Sequence, residues 1–365
     1  MEKNMNILKL WFASTELSST IKLKLLSEFK TVENIFHYIK THNEPLIENN
    51  TILNKLKKSY DLKKLEKVMD IMKSNDIAFL TVDEEQYPRE LKNIEDPPYG
   101  LFYKGDISKY NNTLSVSIVG SRACSRYGID VTKIITKELI ENNITIVSGM
   151  AKGIDAIAHK TAVDNNGYTV AVLGCGVDVI YPKENLKLYN AIISKGGCVL
   201  SEFVPGTRPL SMNFPIRNRI IRGLSKLTII AEAGEKSGTL ITATKALEQG
   251  KDVIAVPGSI FSEESKGTNK LIKEGAHVFT EVDDIFYLLG IVKNKNNKII
   301  NDNIKSSVCE ELYGLIDSNP IHIDDIMRIT NIDIKRLYGL LFEMQLKEEI
   351  LCLSGNFYVR VNKSI

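Results

Sequence analysis

The chain has 365 residues, 47 of them basic and 45 acidic, for a net charge of +2. That balance excludes a polycation binding nucleic acid with its whole surface, and 43% hydrophobic against 25% charged residues excludes a largely disordered chain. No apolar run approaches the roughly 20 residues of a membrane helix, and the N-terminus MEKNMNILKLWF lacks a secretory leader pattern, so a cytoplasmic protein is expected.

In chain order, residues 1–78 read as helices, with apolar residues at three- and four-residue spacing in IKLKLLSEF and LNKLKKSYDLKKLEKVMDIMK. From residue 79 the texture changes. Continuous apolar runs over 115–120, 145–150, 169–176, 198–203, 227–234 and 252–258 alternate with helical stretches near 127–142, 155–164, 184–195, 215–225 and 239–249. Apolar strands that end in Gly and lead into helices predict an α/β domain over 79–290, with a doubly wound, mostly parallel sheet covered on both faces. Ligands of such sheets bind at the strand C-terminal ends. Residues 291–304, rich in Lys and Asn, read as a linker. Helices over 308–317, 323–330 and 333–347, then a hairpin turning at Ser354-Gly355-Asn356, give 305–365 a winged-helix pattern.

The five cysteines lie at least 23 residues apart, with no CxxC half-site, and the histidines show no HxxxH pairing. No metal is expected, and the thiols read as buried fillers in a reducing compartment.

Charge is informative once divided. The 1–78 segment is net +3 with no Arg, and 79–290 is net −1. The chain has 37 Lys and 10 Arg, yet Arg122, Arg126, Arg208, Arg217, Arg219 and Arg222 fall in two short segments of that near-neutral domain. Arginine forks onto phosphate and stacks on bases, so the clusters predict an anion groove with the surplus acids outside it.

The motifs at the strand ends agree. In IVGSRACSRYG, Gly120 ends a strand, Ser121 and Arg122 project from the turn, and a helix starting near Ser125 or Tyr127 would offer its N-terminus to an anion. No G-x-G-x-x-G is present, so NAD is not expected, nor any other cofactor. In VSGMAKGIDAIAH, Gly149 and Gly153 permit a tight loop holding Lys152, Asp155 suits an N-cap, and His159 reads as packed or solvated. VLGCGVDVIYP places Cys175 between two glycines as filler. In SMNFPIRNRIIRG, Pro215 predicts a helix start with Phe214 in the loop before it, and Arg217, Asn218 and Arg219 follow. An aromatic beside arginines suits single-stranded nucleic acid, the ring stacking on a base while guanidinium groups hold phosphates. Two arginines two residues apart diverge on a helix, so one of them reads as structural. In AEAGEKSGTLITA, Gly238-Thr239 opens a helix after a Gly-rich loop, a phosphate cradle that is not a Walker motif.

The ordered set GSR, SGMAKGID, VLGCGVDVIYP, NFPIRNRII, EAGEKSGTLITA, VPG and GTNKLIKEGA closely resembles the DNA-processing protein A (DprA/Smf) family, as does YPRELKNIEDPPYGLFYKGD. The resemblance covers 80–290 and extends more loosely to both ends, implying a helical domain like a sterile-alpha-motif or helix-hairpin-helix unit ahead of an extended Rossmann-like domain. It implies a homodimer that binds and protects single-stranded DNA during natural transformation and loads the RecA recombinase onto it. Carried over by position, the DNA groove would comprise Gly120, Ser121, Arg122, Lys152, Gly153, Asn213, Phe214, Arg217, Asn218 and Arg219, with Gly238 and Thr239 presenting backbone to phosphate. Dimer and recombinase contacts would lie around Leu271, Ile272 and the helix 282–289. No catalytic residue is implied. The rival is a nucleotide phosphoribohydrolase of the same Rossmann subtype, which here would have Thr242 where its catalytic Glu belongs. A duplex-reading role for the winged unit, whose third helix carries Lys335 and Arg336, is a third reading.

Overall fold

The computed structural model describes residues 7–42, 50–235, 237–248, 250–291, 312–346 and 349–361. Five helices come first: α1 (Ile7–Ser14), α2 (Ser19–Phe29), α3 (Val32–Thr41), α4 (Asn50–Ser59) and α5 (Leu62–Ser74). Side-chain oxygens of Ser18, Thr31 and Asp61 accept from the backbone N–H groups that α2, α3 and α5 leave unpaired in their first turns. Trp11, Phe12, Leu25, Ile35 and Leu56 are fully buried between the helices. That core does not close on itself. It takes in Tyr99 and Phe102 from the following domain, and the Phe12 and Tyr99 rings meet edge-on at 4.9 Å. The helices and the sheet therefore form one compact unit, Met1–Lys293, while Asn294–Ile365 form a second.

The sheet begins with β1 (Ala78–Thr81), α6 (Arg89–Lys92) and β2 (Gly100–Gly105). Then β3 (Ser115–Val119), β4 (Thr145–Ser148), β5 (Thr169–Val172), β6 (Cys198–Ser201), β7 (Leu227–Ile230) and β8 (Asp252–Ala255) alternate with α7 (Arg126–Glu141), α8 (Ile154–Asp164), α9 (Leu186–Ser194), α10 (Asn213–Gly223) and α11 (Gly238–Glu248). After them come α12 (Lys266–Lys273), β9 (His277–Val278) and α13 (Val282–Leu289). The strand order is β1-β2-β6-β5-β4-β3-β7-β8-β9, parallel from β6 to β9 and antiparallel at β2 and β1. All six expected strands are present. The sequence reading missed β1, β2 and β9.

The chain winds outward from β3 through β4 and β5 to β6, then returns to β7 on the other side of β3. Period-two alternation sends Val116, Ile118, Leu227 and Ile229 into one core with α7 and α8. Val119 and Ile230 enter the opposite core with α10, α11 and α12. The place where winding reverses, between β3 and β7, is where open α/β sheets leave a crevice for ligand.

In the second unit, β10 (Ile321–His322), α14 (Ile323–Thr330), α15 (Ile334–Leu346), β11 (Ile350–Leu353) and β12 (Phe357–Arg360) form a three-stranded antiparallel sheet backed by helices around Ile326, Leu337, Leu341 and Tyr358. The two later helices and the hairpin lie where the sequence reading expected them. Only 312–315 of the helix expected over 308–317 is helical among the described residues, and the linker beyond 291 and the Lys335 side chain lie outside them.

Candidate nucleic-acid interface

Loops following β3, β6 and β7 surround a groove of about 1220 Å³ at the strand ends. Arg122 and Phe214 face each other across it. The Phe214 ring is half-buried, with the exposed Arg122 guanidinium carbon 5.7 Å from its centroid and the Tyr181 ring 5.6 Å away at 40°. Sequence reasoning missed Tyr181, because its motif drew attention to the glycines around Cys175. Phe214 also sits differently from expectation. Helix α10 begins at Asn213, so Phe214 belongs to its first turn and Pro215 follows inside that turn, where a missing N–H costs no helical hydrogen bond. Asn213 is buried, whereas Asn218 is half-buried at the groove.

The two following arginines do diverge, but neither is available as the phosphate fork expected. Arg217 is 4% exposed. Its Nη1 donates to the Gly149 carbonyl at 2.6 Å and to the Val172 carbonyl, and its Nε donates to Asn218 Oδ1 at 3.1 Å. Burial draws its pKa down to about 10, which leaves it charged at neutral pH. Buried Asp155 accepts from the Gly149 and Ala151 amides. Burial raises its pKa, while the Arg217 charge opposes that rise. Arg217 is thus a strut joining α10 to the ends of β4 and β5. Arg219 is bound to Glu202, donates to the Asp96 carbonyl at 2.7 Å, and lies 3.4 Å from the Asp96 carboxylate. Glu95, Asp96 and Asp155 line the groove, correcting the expectation that acids stay outside it. Asp96 pairs with the half-buried Arg219, and Asp155 supplies countercharge to the buried Arg217.

Lys152 is exposed and pairs with Glu184 at 2.5 Å. An exposed pair of this kind is worth roughly 0–1 kcal/mol, so a phosphate can replace Glu184 at little cost. Gly153 has φ +76° and lies so close to the β3 turn that a Cβ would sit 2.2 Å from the Ser121 carbonyl oxygen. Gly153, not Asp155, is the N-cap of α8. His159 is buried against Thr169 at 2.7 Å and pushed down to about 3 by burial. Cys175 is buried and its pKa raised to about 11 by burial, as suits a filler.

Helix α11 brings Gly238 and Thr239 to the groove, where among the described residues nothing stands within 4 Å of a Gly238 Cβ position, and Thr239 Oγ1 donates to the Gly120 carbonyl at 3.2 Å. Lys245, exposed and lining the same groove, is a second residue that sequence reasoning missed. Its spacing of seven from Gly238 puts both on one helix face, a signal that was present in the sequence. The Thr242 side chain lies outside the described residues. The expected anion seat at the start of α7 is not vacant, since the Glu232 carboxylate occupies it. Leu271, expected near a partner surface, is buried in the chain's own core, whereas Tyr287 of α13 is 84% exposed.

Residues 78–290 match the family described as DNA recombination-mediator protein A. The DNA processing protein DprA of Streptococcus pneumoniae is 49% identical over 202 residues, 54% of this chain and 70% of that protein. The X-ray structure of DprA from that species superposes with a TM-score of 0.66 at 36% identity, covering 78% of this chain and 98% of that one. A Helicobacter pylori DNA processing protein A structure, described by its single-stranded DNA binding mode, gives 0.52 at 32% identity over 58% of this chain and 95% of that one. Among the described residues, no helix is long and apolar enough to cross a membrane.

Proposed function

The chain belongs to the DNA recombination-mediator protein A family, and from that premise and the groove we propose that it binds single-stranded DNA without catalysis and loads RecA recombinase onto it. The observation that carries this reading is the Phe214 ring beside the exposed Arg122 at the point where sheet winding reverses. Phe214, with Tyr181 beside it, offers a stacking platform that any base can use. Arg122, Lys152 and Lys245 supply cations, and the Ser121, Gly153, Gly238 and Thr239 segments bring backbone close to phosphate. A near-neutral chain with few cations at one edge suits a short strand segment. Protection of incoming strands during natural transformation, a cytoplasmic location and homodimerisation through the region of helix 282–289 belong to the same reading. The Helicobacter pylori structure, described by its single-stranded DNA binding mode, supports the DNA-binding part of this reading.

The strand-loading assay tests the mediator role. RecA filament growth on single strands already coated by a competing single-strand binding protein is expected to accelerate when this chain is added. An unchanged rate would remove the mediator role while leaving DNA binding intact. For the groove, Arg122→Ala is expected to weaken binding to all sequences alike and to reduce the slope of log affinity against log salt by about 0.7, one phosphate contact. Loss confined to one sequence would argue against backbone recognition.

A further inference from the structure

Glu232 stands two residues past β7 at the winding reversal and is 2% exposed. Its backbone carbonyl accepts from Ser121 N–H at 2.7 Å, extending the β3–β7 pairing into the Arg122 turn. Its side chain crosses to the start of α7. There Oε2 accepts from Ser125 N–H at 2.7 Å and Oε1 from Ser125 Oγ at 2.6 Å, while Ser125 Oγ in turn accepts from Gly128 N–H at 3.2 Å. Gly128 has to be glycine for this: a Cβ would lie 2.5 Å from Glu232 Oε2. A full negative charge is thereby fixed at the positive end of a sixteen-residue helix. In parallel α/β sheets this helix end, at this reversal, is where a ligand phosphate ordinarily sits.

We infer that Glu232 is a built-in anion, a positioning residue that fills the phosphate seat of α7 and thereby fixes the Arg122 turn. Two consequences follow from the geometry. A nucleotide or free phosphate would meet a carboxylate at the start of α7, where Ser125 N–H is already bonded to Glu232. The Arg122 turn is held on both sides before DNA arrives, by the Glu232 carbonyl just after β7 and by Ile154 N–H donating to the Ser121 carbonyl at 3.2 Å. The strand is then met by the Arg122 side chain and by the loops, and the start of α7 takes no part. The DNA consequence rests on the function proposed above. The anion seat itself does not.

The test therefore uses two readouts on the full chain. Glu232→Ala leaves an empty carboxylate-sized seat. It is expected to bind single-stranded oligonucleotide about tenfold more weakly, the order set by losing a helix cap together with a charge at its positive end. Sodium formate, compared with sodium chloride at equal ionic strength, is expected to restore that binding and to raise the thermal midpoint of Glu232→Ala, with no such effect on the unsubstituted chain. Glu232→Gln keeps the shape without the charge and is expected to bind about two- to fivefold more weakly, the size of one charge–dipole interaction. Unchanged DNA affinity in either variant would overturn the inference, and so would formate acting no differently from chloride on Glu232→Ala. If Glu232→Ala fails to fold, Glu232→Gln decides alone. If the unsubstituted chain binds no DNA, the function proposed above fails, while the formate-dependent midpoint still reads the seat.

Discussion

Replacing Arg217 with alanine is expected to destabilise the protein by about 3–5 kcal/mol, the usual cost of leaving a buried charge uncompensated. The substitution leaves the carbonyls of Gly149 and Val172 without their shared donor and leaves Asp155 buried without its countercharge. Against a typical total stability of 5–15 kcal/mol, that loss should shift the urea midpoint by one molar or more at an m-value of roughly 1–3 kcal/mol/M. Arg217→Lys should recover little, because one ammonium cannot reproduce a fork that reaches two carbonyls and Asn218. Combining Arg217→Met with Asp155→Asn removes both charges and should be milder than Arg217→Ala, since no buried charge is then left uncompensated. A phosphate-binding Arg217 would behave in the opposite way. Its alanine variant would keep the midpoint and lose DNA affinity with a smaller salt slope, and that outcome would sink the strut.

Arg217 also marks where local sequence stops being informative. The run NFPIRNRII announces an aromatic among cations on a helix, and the structure brings Phe214 to the groove. Which arginine meets solvent depends on what packs beside the helix, namely the ends of β4 and β5 for Arg217, and Asp96 with Glu202 for Arg219. Those partners lie 17 to 123 residues away in the chain. The six central strands were legible because each is a continuous β-branched run closed by glycine or a turn, the mark of a strand buried on both faces. Strands β1 and β2 pair antiparallel at the sheet border, and β9 has only two residues, both exposed, so neither carries that mark. The start of α7 shows the same limit. Its orphan N–H groups predict an anion, and an anion is present, but it arrives from Glu232, 107 residues downstream of Ser125.

Phe214→Ala is expected to lower single-stranded DNA affinity by about 5- to 150-fold, the range that follows from roughly 1–3 kcal/mol for one stacked base. The cause lies in the ring face rather than its volume, so Phe214→Tyr should bind nearly as well as the unsubstituted chain and Phe214→Leu nearly as poorly as alanine. Stability should change less than with Arg217→Ala, since Phe214 is only half-buried and its removal strands no charge. The contacts from Arg122 and Arg217, at 5.7 and 5.9 Å from the ring centre, contribute on the order of 0.5–2 kcal/mol each to the folded state. The salt dependence separates the two sides of the groove. Stacking releases no counterions, so the Phe214→Ala slope should match that of the unsubstituted chain, whereas the Arg122→Ala slope should be shallower. Tyr181→Ala tests the neighbouring ring, and coupling between Tyr181→Ala and Phe214→Ala in a double-mutant cycle is expected if one base, or two stacked bases, spans both rings. A leucine at 214 that binds as tightly as phenylalanine would mean that the ring contributes apolar bulk alone, and affinity would then have to come from the cations and the backbone of the Gly-edged loops.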